Sequence, residues 1–120
     1  MKDQKQRLGI KEFMKILIDE YSFEWKELGE GYEMLGFDSI YFTIERRAKI
    51  TQKDYDRLLS NAVSDADKLN RYCALAYRQD RQDWRVSLDL GFIDQAMDGI
   101  NASFDVDDFV RMLALGGADQ

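Results

Sequence analysis

From Thr51 to Arg78 the chain runs for about 28 residues without a glycine, and the whole sequence contains no proline. Within that stretch Tyr55, Leu59, Ala62, Ala66, Leu69, Cys73 and Ala76 recur at steps of four and three. Such steps keep side chains on one face of a 3.6-residue turn, so the spacing predicts one long central helix over 51–78. Thr51 serves as its N-cap, with Asp54 three residues on where a capping-box acid sits. Ser64 with Asp67 repeats the pattern and offers a break point. The alanine-rich seam admits a close neighbour, which is either the chain's own first helix or a second copy. In the latter case Tyr55, Leu59, Ala62, Ala66 and Leu69 form a homodimer contact. Cys73, inside the seam, reads as a small buried hydrophobe.

Around this helix the remaining segments are shorter. Residues 1–7 read as a charged, loose leader. Ile10, Phe13, Met14, Leu17, Tyr21, Trp25 and Leu28 then share a face, which predicts a helix from Leu8 to residue 28, stopped by Gly29. Residues 29–38 combine three glycines with Tyr32, Met34, Leu35 and Phe37, a turn-rich connection folded over the core. Phe92 to Ile100 predicts a third helix. Asp105 opens a last one that buries Val106, Phe109, Val110 and Leu113 and stops at Gly116-Gly117. The fold class that follows is mainly α, about four helices in a single domain over 1–120, with 1–7 and 117–120 loose. Two segments alternate with period two, 39–45 (Ile40, Phe42, Ile44) and 84–90 (Trp84, Val86, Leu88). They leave open an α+β arrangement with short strands there.

Several chemistries are excluded by what is missing. The 120 residues include no histidine and one cysteine, so histidine-based acid/base catalysis, Cys-His or Ser-His nucleophiles and structural zinc have no residues to use. No glycine sits in a phosphate-loop context. No catalytic, cofactor or metal residues are therefore expected. The apolar runs are too short to span a membrane and the N-terminus lacks a signal-peptide core, so a cytoplasmic location is expected.

Charge is the remaining signal. The net charge is −6, and residues 61–120 hold 11 acids, all aspartate, against 6 Lys and Arg. Asp94, Asp98, Asp105, Asp107 and Asp108 are the candidate partner-binding residues, engaging a basic protein surface. Helix capping is the simpler account of Asp105, Asp107 and Asp108. As a calcium loop they lack the required glycine and glutamate. Against this acidic background Arg71, the tandem Arg-Gln-Asp of 78–83 and Arg85 concentrate basic groups. Arg46, Arg47 and Lys49 ahead of the long helix suggest a helix-turn-helix, but the net charge disfavours duplex binding. The expected function is thus a non-enzymatic inhibitor, of the immunity or anti-defence type, of a nucleic-acid-handling protein. The alternatives are a dimeric DNA-binding regulator and a self-assembling structural protein.

Overall fold

The computed structural model describes residues 4–117. Among them the chain runs helix α1 (Gln4–Tyr21), strands β1 (Trp25–Leu28), β2 (Gly31–Met34) and β3 (Ile40–Arg47), and helix α2 (Gln52–Lys68). Strands β4 (Tyr72–Gln79) and β5 (Arg85–Asp89) follow, then two 3₁₀ turns at Leu90–Phe92 and Gln95–Met97, strand β6 (Asn101–Asp105) and helix α3 (Val106–Gly117). The strands form one sheet in sequence order, with β3 and β4 parallel and every other pair antiparallel. The mainly helical expectation is corrected: this is an α+β fold built on a six-stranded mixed sheet.

The largest departure is at the central helix. α2 begins as its sequence predicts, with Thr51 Oγ1 accepting from the Asp54 N–H and the Asp54 carboxylate accepting from the Thr51 N–H, each at 3.1 Å. It ends at Lys68 rather than Arg78. Asn70 takes a left-handed φ of 59°, the Asn70 N–H reaches the Asp67 carbonyl and the Arg71 N–H reaches the Ala66 carbonyl, both at 3.0 Å. This is the paired-bond stop that glycine usually makes, here made by asparagine. α1 also ends on a non-glycine residue, Ser22 with φ 61°, seven residues before Gly29. The third expected helix is replaced by the two 3₁₀ turns. The N-terminal leader is corrected from residue 4 onward, since Gln6 is buried in α1; residues 1–3 and 118–120 lie outside the described residues.

Alternation along the strands sorts the core into two layers. Ile40, Phe42 and Ile44 of β3, Ala74 and Ala76 of β4, and Val86 and Leu88 of β5 face α1 and α3, meeting Phe13, Leu17, Phe109 and Leu113. Tyr41, Cys73 and Leu75 face the other way, under Leu58, Ala62 and Ala66 of α2. The alanine seam is therefore covered by the chain's own sheet, not by α1. β4 is buried on both faces, as a central parallel strand is, so its apolar residues run on without a visible period of two. α1 lies so close to β3 that a methyl group on Gly9 would fall 2.2 Å from Arg46 Cβ. There Gln6 acts as a splint: its amide donates to the Ile44 carbonyl and accepts from the Arg46 N–H, both at 2.6 Å.

Candidate ligand-binding cavity

α2 packs mainly over β3 and β4 and reaches β5 through Tyr55, so among the described residues most of the same face of β5 and β6 is left without a helix above it. The residues there change accordingly. In register, buried Leu75 pairs with Ser87 and Ser87 with Ser103, while Tyr77 pairs with Arg85. Apolar cover gives way to short polar side chains, and a cavity of about 350 Å³ opens between them and the start of α2. It sits at the carboxyl ends of the parallel pair β3 and β4.

The cavity wall is held by side-chain hydrogen bonds. Tyr55 of α2 and Ser87 of β5 join hydroxyls at 2.5 Å, and Tyr77 of β4 and Ser103 of β6 join theirs at 2.7 Å. The two tyrosine rings lie 5.1 Å apart, tilted by 58°. Burial raises the Tyr55 hydroxyl above its ordinary pKa, against the lowering effect of its bond to Ser87, so it stays a neutral phenol. Gln79, which lines the cavity, accepts from the Ile50 N–H through its side-chain oxygen at 3.0 Å, leaving its amide N–H₂ unbonded.

Two arginines line this cavity and they differ. Arg78 is committed, paired with Glu12 and donating to the Gln82 carbonyl at 2.7 Å. Arg85 donates Nε–H to Ser103 Oγ at 2.9 Å and Nη2–H to the Ser103 carbonyl at 3.0 Å. Among the described residues no carboxylate lies within ion-pair distance of it. Its cross-strand neighbour Asp105 turns instead to the Asp108 N–H at 2.8 Å. Arg85 is thus an oriented guanidinium without a counter-charge, in a chain of net charge −6.

A second cavity, of about 400 Å³, lies where α2 ends, lined by Asp67, Asn70, Arg71, Asp89 and Asp98. Asp89 Oδ1 there accepts from the N–H groups of Gly91 and Gly99, at 2.8 and 3.1 Å. Arg71 is paired with buried Glu33 at 2.5 Å. Among the described residues no group of three or more acidic or thiol side chains is placed to hold a metal ion.

The five aspartates singled out from sequence fall at the two ends of β6. Asp94 accepts from the Ala96 N–H at 3.0 Å, capping a 3₁₀ turn, and Asp98 closes that turn beside the second cavity. Past β6, Asp105 caps α3, Asp108 pairs with Arg111 at 3.0 Å, and Asp107 accepts the Tyr21 hydroxyl. That hydrogen bond first, then burial, pushes Tyr21 up to about 12. The four strand residues Asn101–Phe104 lie between the two groups, roughly 13 Å at the usual rise. Arg85, Tyr77 and Ser103 were not singled out as a site. Their sequence signal was an arginine at a polar position of an alternating segment in an acidic chain.

No family model matches this chain, and no curated protein does. A solved structure, the Holliday junction resolvase of the archaeal hyperthermophile Archaeoglobus fulgidus, is similar over 80% of this chain and 86% of its own, at 13% identity and a TM-score of 0.30. At this level of similarity it lends this chain no residue and no reaction. The helix-turn-helix reading is corrected by the fold itself. Residues 46–78 are strand, helix and strand rather than helix-turn-helix, with Arg46 paired to Asp80 at 2.6 Å and Arg47 to Glu45 at 3.5 Å. Ala62 and Ala66, needed by a seam dimer, are buried on the sheet. Among the described residues no helix is long and apolar enough to cross a membrane.

Proposed function

We propose that this chain is a small-molecule-binding domain whose ligand enters the cavity between the start of α2 and the exposed face of β4, β5 and β6. One observation carries this reading: Arg85 is held in orientation by Ser103, without a carboxylate partner, on the wall of a 350 Å³ cavity. That volume is within the range of small-molecule sites, and the lining mixes aromatic rings with a few placed polar groups. Strands β4, β5 and β6 place Tyr77, Gln79, Arg85 and Ser103, so these polar groups are positioned by the sheet.

Screening a fragment library by ligand-observed NMR tests the proposal. Hits are expected to be lost in Ser103→Trp, whose indole fills the cavity, with the melting temperature of that variant near that of the parent. If the library yields only hits that Ser103→Trp still binds, the cavity is not the binding site.

A further inference from the structure

The donor inventory of the same cavity narrows the ligand. Arg85 has five N–H donors, and the bonds to Ser103 use Nε and one hydrogen of Nη2. The end of the guanidinium formed by Nη1 and the second Nη2 hydrogen stays open, in the parallel geometry that grips two oxygens of one carboxylate or phosphate. The side-chain amide of Gln79, with its oxygen committed to Ile50, adds a further N–H donor on the same wall. Asp83 is the one carboxylate among the lining residues. The Tyr77 and Ser103 hydroxyls on the wall engage each other. Tyr55 and Tyr77 supply flat apolar surface a short distance away.

We infer that the ligand is a ring-bearing small molecule with a carboxylate or phosphate group, the oxyanion held by Arg85 and the ring against Tyr55 and Tyr77. This inference rests on the reading of the cavity as a binding site. The two oxyanions share one chemistry here, because either presents two oxygens to the fork. Ser103 is a positioning residue, fixing the guanidinium by two bonds and leaving its other edge unbonded.

Probes that share one ring and differ in charge separate the possibilities. Benzoate, phenyl phosphate, neutral benzamide and cationic benzamidine, with inorganic phosphate alone, are titrated at equal millimolar concentrations into ¹⁵N-labelled protein. The backbone amides of Tyr77, Gln79, Arg85 and Ser103 are the readout. Benzoate or phenyl phosphate is expected to shift them, and the stronger of the two identifies the oxyanion. Benzamide is expected to bind at least about tenfold more weakly, as losing a charge-assisted pair implies. Arg85→Gln brings the anions down to the benzamide level, while its dispersed spectrum reports an intact fold. Ser103→Ala, which keeps the charge but frees the side chain, falls between.

Each contrary result overturns a definite part. If benzamide or benzamidine shifts the same amides as strongly as benzoate, the anion assignment fails and the cavity stands as a binding site. If inorganic phosphate matches phenyl phosphate, the ring contact fails. If anion binding survives Arg85→Gln unchanged, the role of Arg85 fails. If no probe moves these amides, both this inference and the proposed function fall.

Discussion

The two ends of α2 make an instructive pair. Both open onto cavities of similar size on the same face of the sheet, and their charges are opposite. At the N-terminal end an arginine is fixed by a serine and lacks a counter-ion. At the C-terminal end Arg71 is consumed by Glu33, and Asp89 is consumed by the backbone of its own turn. Volume therefore does not distinguish a binding site from a structural gap here. The distinction lies in whether the arginine on the wall has already been satisfied. The acidic end carries more charge, with Asp89 committed to closing the turn between β5 and β6.

This contrast can be broken most severely by lifting α2 itself. Ala66 is fully buried against the sheet, so Ala66→Leu is expected to destabilise the protein by about 1–3 kcal/mol in chemical denaturation, through overpacking. Burial pushes the Cys73 thiol under α2 up to about 12, so in the parent it resists alkylation at neutral pH. In Ala66→Leu its labelling should accelerate. Unchanged labelling would mean that the helix does not shield it.

Gly91→Ala strikes one end only. Its added carbon would meet Asp98 Oδ1 at 2.0 Å, a Tyr72 ring carbon at 2.8 Å and Asp98 Cα at 3.0 Å. A loss of about 1–2 kcal/mol is expected, with amide shifts confined to the aspartate end and benzoate affinity unchanged. Shifts reaching Arg85 would show that the two ends are coupled. Tyr55→Phe strikes the other end, leaving the fully buried Ser87 hydroxyl without its partner. About 1 kcal/mol of stability should be lost by denaturant titration.

The smallest effect is at the cap of α2. The Thr51 backbone and side chain hold the Asp54 carboxyl below its ordinary pKa. A depressed carboxyl contributes stability above its unfolded pKa and loses it as pH falls through the folded value. Melting temperatures followed from about pH 5 downward should thus fall less steeply in Asp54→Asn than in the parent. An identical slope would remove the cap from the acid response.

How the chain stops its helices separates what was legible in it from what was not. The seam of Tyr55, Ala62 and Ala66 and the Thr51 cap are local, and their spacing located α2 correctly to its first residue. Its end was illegible because Asn70 does what glycine usually does. Leu69, Cys73 and Ala76 happened to continue the helical spacing through a strand. The alternation at Ile40–Ile44 and Trp84–Leu88 was present, but a strand is stable only with partners, and no local pattern names them.

The sequence by itself determined the cap, the seam, the acid-rich C-terminal third and the absence of histidine chemistry, since each depends on residue type and near spacing. Tertiary structure alone decided the partner of the seam, the commitment of the aspartates to turns and caps, and the cavity. Tyr55, Tyr77, Arg85 and Ser103 lie on four elements, and only strand register and the placement of α2 bring them to one wall. Charge is counted along a chain, whereas its pairing is settled by contacts between elements far apart in it.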